Sequence, residues 1–304
     1  MFCRKGTPMG KKLMLIINPI SGKLKGLSNR EALCGHLGKT YEVDTYLTEK
    51  RGDGTALTLA HLQDYDVVGG CGGDGTLNEI MTALYTLPPE QRKPLLVIPA
   101  GTTNLLGDTL LLPHDVVAAA DKAACGSAQP FDLGMMGEHC FGSVVSFGAF
   151  TDSSYATPQK LKNRFGYGAY VLGGARSIFH LKNYPMTVTV NGEQFSDEFI
   201  FGGISNCVAV GGIIKFQEGV VQVDDGLYEV VLIRRLKTPA ALARVVKAVR
   251  KRRYDDCPEI FYCQTSSIRL QADHPLPWTI DGEYKGDFAE ADIRILPQSL
   301  ELIR

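Results

Sequence analysis

The 304-residue chain has no apolar run long enough to cross a bilayer, which takes about 20 consecutive apolar residues. It also lacks the apolar segment near the N-terminus that would mark a secretion signal. Neither sign of charge is in excess: 32 Lys and Arg stand against 33 Asp and Glu, a formal net charge of −1. Without a basic surplus there is no electrostatic footprint for nucleic acid, and no such partner is expected. The eight cysteines (Cys3, Cys34, Cys71, Cys125, Cys140, Cys207, Cys257 and Cys263) include no C-x-x-C pair. Neither they nor the six histidines form a zinc pattern. Most of the cysteines stand among apolar residues, as reduced thiols of a cytoplasmic protein do. Internal repeats and low-complexity segments are absent as well.

What is present is ordinary globular composition, 44% hydrophobic and 21% charged, in a chain too long for one core. A basic, Gly-containing lead, Met1 to Lys12, is expected to be disordered. Strand patterns then alternate with helix patterns. Leu13–Ile17, Tyr41–Leu47, Asp66–Gly70 and Leu95–Ile98 read as strands, and Asn29–Leu37, Ala56–Leu62, Leu77–Tyr85 and His114–Cys125 as helices. Such alternation predicts an α/β domain over residues 1–128, built on a parallel, Rossmann-like or phosphofructokinase-like sheet. From residue 129 to 290 the texture becomes β-rich. Met186–Val190, Glu198–Ser205, Tyr228–Ile233, Ser267–Gln271 and Trp278–Asp281 are short runs separated by Gly, Asn and Asp, which predicts an antiparallel β-sandwich. Helical inserts are expected at Pro158–Leu181 and Pro239–Arg253, and two short strands in the tail Ala291–Arg304.

Three loops follow apolar strands. The most informative is Gly72-Gly73-Asp74-Gly75-Thr76-Leu77-Asn78-Glu79, a burst of glycine before a helix pattern from Leu77. Glycine lets a backbone approach a ligand closely, and successive N–H groups at a helix N-terminus suit phosphate. Asp74 would repel phosphate unless a cation or hydroxyl lies between, so the loop reads as a site for phosphate plus metal. Alone, it could equally be a tight strand-to-helix turn. The other two loops are Asn18-Pro19-Ile20-Ser21-Gly22-Lys23, where Lys23 can counter a phosphate, and Pro99-Ala100-Gly101-Thr102-Thr103-Asn104, with two hydroxyls and an amide. In open α/β sheets, ligands sit beyond the carboxyl ends of the strands, where these loops would converge.

These three segments resemble the nucleotide-binding signatures of the diacylglycerol kinase catalytic family, which includes bacterial lipid kinases and sphingosine kinases. Asp224-Asp225-Gly226-Leu227 and Asp281-Gly282-Glu283 follow in the family's order. The resemblance implies ATP as co-substrate at Asn18, Ser21, Gly22, Lys23, Thr48, Gly72, Gly73, Asp74, Gly75, Thr76, Leu77, Asn78, Gly101, Thr102, Thr103 and Asn104. Asp74 would organise the active metal. Glu283 would be the general base, and a structural Mg²⁺ would bind the Asp225 side chain with the carbonyls of Gln222 and Leu227. It also implies that the tail 291–304 crosses back to complete the first domain. Read without the family, Asp281-Gly282-Glu283 is a hairpin tip, Asp224-Asp225-Gly226 a surface turn and Thr48 a strand-end residue. One position departs from the pattern: Leu105 stands where many members carry Asp, leaving Asp108 or Asp132 as stand-ins.

The expectation is therefore a cytoplasmic, ATP- and Mg²⁺-dependent lipid kinase, with its acceptor in an interdomain cleft and an oligomeric state that the sequence leaves open, a homodimer included. It would meet its lipid peripherally, at the membrane surface. Kinase action on a soluble alcohol, as in NAD kinases, and a nucleotide-binding regulator without turnover are the rivals. The residues Arg244, Lys247 and Lys251 fall on one side of a helix, either a solvated face or a contact for anionic membrane.

Overall fold

Five consecutive residues of the first strand, Leu13 to Ile17, are fully buried apolar side chains, the signature of a strand covered on both faces. The computed structural model describes residues 10–22, 28–149, 181–210 and 212–304. Lys23 and all but the last residue of the expected insert Pro158–Leu181 lie outside these. The chain forms two compact units, one from Met1–Ser143, Val223–Gly226 and Ile295–Arg304, the other from Val144–Gln222 and Leu227–Arg294.

The first unit runs β1 (Lys11–Ile17), α1 (Arg30–Leu37), β2 (Tyr41–Leu47), α2 (Asp53–His61), β3 (Val67–Gly72), α3 (Asp74–Thr86), β4 (Leu95–Pro99), α4 (Leu105–Thr109), α5 (Val116–Ala124), β5 (Ala128–Met136) and β6 (His139–Phe141). The pairs β1–β2, β1–β3 and β3–β4 are all parallel. Leu13, Leu15 and Ile17 share a core with Leu33 and Leu37 of α1 and Val116, Ala119 and Ala123 of α5. On the opposite face α3 lies so close that a Cβ on Gly70 would fall 2.7 Å from Leu77 Cδ2. Asp115 starts α5 by accepting hydrogen bonds from the Val117 and Ala118 N–H groups at 3.1 and 2.9 Å, a conventional N-cap.

The second unit contains β7 (Val144–Gly148), β8 (Tyr184–Val190), β9 (Glu193–Ser205), the short pair β10 (Ala209–Val210) and β11 (Ile214–Lys215), β12 (Tyr228–Arg234), α6 (Pro239–Lys251), β13 (Ile260–Thr265) and β14 (Ser267–Ile280). The last strand, β15 (Glu283–Ile303), belongs to this unit through Arg294 and to the first from Ile295. Every pairing of β7, β8, β9, β12, β13 and β14 is antiparallel. Two long strands change partners along their length. The start of β9 pairs with β8 and its end with β7 and β12, while β14 pairs first with β8 and then with β7. Strands that switch sheets in this way make the corners of a sandwich. Phe147 packs against Trp278 and Tyr184 inside, with ring centroids 4.9 and 5.9 Å apart.

Several elements differ from their sequence-based expectation. Helix α3 begins at Asp74 rather than Leu77, because extended Gly73 is its N-cap and Asp74-Gly75-Thr76 form the first turn. The run Ser267–Gln271 and all but the last residue of Trp278–Asp281 belong to one strand, whose register with β15 is irregular between Gln271 and Leu276. The tail is likewise part of one strand, β15, rather than two short ones. Its final residues return to the first unit: Leu302 and Ile303 pair in parallel with Leu95 and Leu96, and Arg304 exchanges backbone hydrogen bonds with Ser127 at 3.1 and 3.2 Å.

Candidate functional site

The loops that follow β1, β3 and β4 meet at the carboxyl ends of their strands. Asn18 ties the first to the second: its N–H donates to Cys71 O at 2.9 Å, and its Nδ2 donates to Thr76 Oγ1 at 3.0 Å. Its Oδ1 accepts from the Ile20 N–H at 3.2 Å, and its carbonyl from the Ser21 N–H at 3.3 Å, which bends the loop. Gly22 has φ +50° and lies against Ala100, whose oxygen would be 2.0 Å from a Cβ there. The second and third loops touch backbone to backbone. Ala100 N donates to Gly72 O at 2.8 Å, and a Cβ on Gly101 would fall 2.5 Å from Gly73 Cα.

Asp74 occupies this junction. Its two oxygens accept hydrogen bonds from the Leu105 and Leu106 N–H groups, each at 3.2 Å. Burial pushes its carboxyl above the usual range, those backbone donors pull it back, and the charge of Asp108 adds to the rise. A partly desolvated carboxylate held by main-chain N–H groups keeps its position but gains little neutralisation, so a cation would be welcome beside it. Asn104, with φ +55°, closes the third loop on itself, accepting from Gly101 N at 2.6 Å and donating to Gly101 O at 3.0 Å. This leaves Thr102 and Thr103 exposed, with their hydroxyls free to meet a ligand.

Other residues of the signatures serve the frame. Leu77 is buried against Gly70, and Asn78 donates to Cys140 O at 3.0 Å. Glu79 accepts from the Gly52 and Gly54 N–H groups at 2.7 and 3.0 Å, capping α2 from the neighbouring helix. Gly52, at the N-cap with φ +89°, has no side chain to do this itself. That role could not be seen in the sequence, where Glu79 is simply the end of a motif. Thr48 is buried and holds Ile17 O through its N–H at 3.0 Å.

The two stand-ins for the missing carboxylate at Leu105 separate cleanly. The charge of Asp108 is felt by Asp74. Asp132 is fully buried and committed elsewhere, accepting from Gly226 N and Gln298 N, both at 2.6 Å. It thereby anchors the 222–227 loop, in which Gly226 has φ +77°. Burial raises the Asp132 carboxyl, with Asp225 and Asp224 contributing, while Arg304 neutralises Asp224 at 2.6 Å. Asp225 remains exposed. Among the described residues no cluster of three His, Cys, Asp or Glu side chains could hold a metal. One carboxylate and two main-chain carbonyls are oxygen donors of the kind Mg²⁺ takes, since the ion keeps several of its waters.

In the second unit, Asp281 and Gly282 both have positive φ, +48° and +81°, in the two-residue turn between paired Ile280 and Glu283. This is the mirror-image turn that matches strand twist. Asp281 is buried and exchanges bonds with Val144, its N–H donating to Val144 O and its Oδ1 accepting from Val144 N, both at 2.8 Å. The turn is thus fixed rather than a free hairpin tip. Glu283 follows it, with its Oε2 3.6 Å from Lys285 Nζ.

Residues 12–136 match the Diacylglycerol kinase catalytic domain, and residues 143–304 match the YegS C-terminal NAD kinase beta sandwich-like domain. A diacylglycerol kinase of Staphylococcus aureus is 32% identical over 284 residues, covering 91% of this chain and 88% of that protein. A crystal structure of a Bacillus anthracis diacylglycerol kinase superposes with a TM-score of 0.72 at 20% identity, covering 98% of both chains. Another crystal structure from the same organism reaches 0.79 at 23% identity with the same coverage. With signatures, catalytic-domain match and full-length relative in agreement, the chain belongs to the diacylglycerol kinase family, phosphotransferases with an alcohol group as acceptor.

Proposed function

We propose that this protein transfers the γ-phosphate of ATP to the hydroxyl of a lipid alcohol such as diacylglycerol, working from the cytoplasm at a bilayer surface. The observation that carries the reading is the junction of the three loops around Asp74, where backbone N–H groups, two exposed threonines and one half-buried carboxylate meet. Phosphoryl transfer requires mainly positioning and charge neutralisation. The loops supply the first. Gly73 and Gly101 let the polyphosphate approach the main chain, with Asn18, Ser21, Lys23, Thr102 and Thr103 as polar partners and Thr48 at the end of β2. Mg²⁺, when bound, supplies the neutralisation that Asp74 and phosphate need in order to share one site. Asp74 would orient that ion, and the loop carrying Gln222, Asp225 and Leu227 would hold a second, structural one.

Glu283 is the proposed base, taking the proton of the lipid hydroxyl at one of its carboxylate oxygens. Its suitability rests on the rigid Asp281-Gly282 turn and on Lys285, which keeps a cation 3.6 Å away. No helix among the described residues is long and apolar enough to cross a membrane, so the lipid would be taken from a surface.

The test is transfer of labelled phosphate from ATP to diacylglycerol in mixed micelles, with NAD as the rival acceptor. Glu283→Gln should lower turnover by about 10²–10⁴-fold, the range of general-base catalysis, with ATP binding retained. Wild-type turnover in that variant would remove Glu283 from the mechanism. Phosphorylation of NAD but of no lipid would replace the acceptor class.

A further inference from the structure

Helix α6 carries a cationic face that folding alone does not call for. Its inner face, Ala241, Leu242, Val245 and Ala248, is buried. On the outer face Lys247, Arg250 and Lys251 are exposed, followed by exposed Arg252 in the left-handed conformation at the C-cap. The structure changes which cations count. Arg244 is bonded to Glu259, Nε to both carboxylate oxygens at 3.1 and 3.0 Å, and Arg253 to Asp256 at 2.7 Å. Both are balanced within the protein. Among the described residues, no carboxylate lies within ion-pair distance of Lys247, Arg250, Lys251 or Arg252.

A cation in the last turn of a helix complements its dipole, which explains one or two such residues. Lys247 with Arg250 and Lys251 places like charges at i,i+3 and i,i+4, which works against the helix. The excess is local, since the whole chain carries a net −1. Around the cations the exposed side chains of the helix are small or already paired: Pro239, Ala240, Ala243 and the Glu259-bound Arg244. No aromatic side chain stands among them to stack on a base, as single-stranded nucleic acid would favour.

We infer that the outer face of α6 is an electrostatic docking surface for anionic phospholipid headgroups. The choice of a bilayer rests on the lipid-acceptor reading, but the surface is tested by binding alone, without turnover. Wild-type protein is sedimented with vesicles of phosphatidylcholine, with and without phosphatidylglycerol, at low and high salt. It should bind only the anionic vesicles and release them as salt rises. Lys247→Gln/Arg250→Gln/Lys251→Gln should reduce partitioning about 10²-fold, from three cations near a charged surface, and should melt no lower than wild type, since it removes like-charge pairs from the helix. An equal charge change elsewhere, Lys11→Gln/Lys12→Gln/Lys39→Gln, should have little effect. The proposal fails if wild type ignores phosphatidylglycerol, if the two triple variants lose binding equally, or if an oligonucleotide displaces the protein from vesicles through the same three residues. Phosphate transfer to short-chain diacylglycerol in neutral detergent, run on the same variants, shows separately whether the lipid-kinase reading holds.

Discussion

The same substitution at two glycines should move stability in opposite directions. A Cβ on Gly101 would lie 2.5 Å from Gly73 Cα and 2.8 Å from Asn104 Oδ1. Ordinary contact begins near 3.4 Å, so the backbones must part by about 1 Å, and neither can yield as a flexible side chain would. Gly73 caps α3, Gly72 O holds Ala100 N, and Asn104 Oδ1 holds Gly101 N, so the movement strains three connections together. Overpacking of this kind costs about 1–3 kcal/mol. In a protein of this size that lowers the melting temperature by roughly 2–10 °C. A displacement near 1 Å at a phosphate-positioning loop should also weaken ATP binding, by up to about 10²-fold. Gly35 provides the control: it lies exposed within α1, and a Cβ there meets nothing within 4 Å. Gly35→Ala gains helix propensity and should stabilise by about 0.8–1 kcal/mol. Thermal denaturation and nucleotide titration of both variants decide the matter. If Gly101→Ala melts with Gly35→Ala and keeps wild-type ATP affinity, the loops are not in contact and the site must be rebuilt.

Two further outcomes follow from the hydrogen-bond geometry. Glu79→Gln keeps one acceptor for the α2 N-terminus and turns the other into a donor facing an N–H. It should cost about 1.5–3 kcal/mol, seen as a lower melting temperature with turnover of the folded enzyme unchanged; equal melting would mean that α2 needs no cap. Mg²⁺ at a hundred times its dissociation constant should stabilise wild type by about 2.7 kcal/mol, as a ligand that binds only the native state does. Asp225→Asn should reduce the Mg²⁺-dependent rise in melting temperature, and an identical rise in both proteins would make the 222–227 loop a turn only.

The first unit was legible because its apolar runs are sharply bounded by polar and turn residues. The run Leu13–Ile17 lies at the heart of β1, and Tyr41–Leu47 begins and ends where β2 does, since apolar residues and turn residues alternate sharply there. The start of α3 was hidden, because Asp74-Gly75-Thr76 carry no apolar period and owe their helical turn to the Gly73 cap. In the second unit, Asp273, His274, Pro275 and Pro277 look like the end of a strand, yet β14 continues through them with a register irregularity. Strand β5 was concealed by Pro130, and with it the role of Asp132, whose partners Gly226 and Gln298 are remote in sequence. For the site, the residue types and their order announced phosphate chemistry. The bonds from Asn18 to Thr76 and from Leu105 and Leu106 to Asp74 join different loops, and only the folded chain reveals them.

Strand β15 has a consequence for how the molecule is made. Residues 295–304 complete the first unit, yet they follow the whole of the second in the chain. As the polypeptide leaves the ribosome, β4 can pair with β3 on one side, but its other side has no partner until Leu302 and Ile303 appear. The loop so closed is long, and pairings of high sequence separation form slowly. During that interval β4 is an open edge of a hydrophobic sheet, the kind of surface that recruits other chains. No single cut therefore separates the two units, and a fragment ending after Ser143 would keep this edge bare.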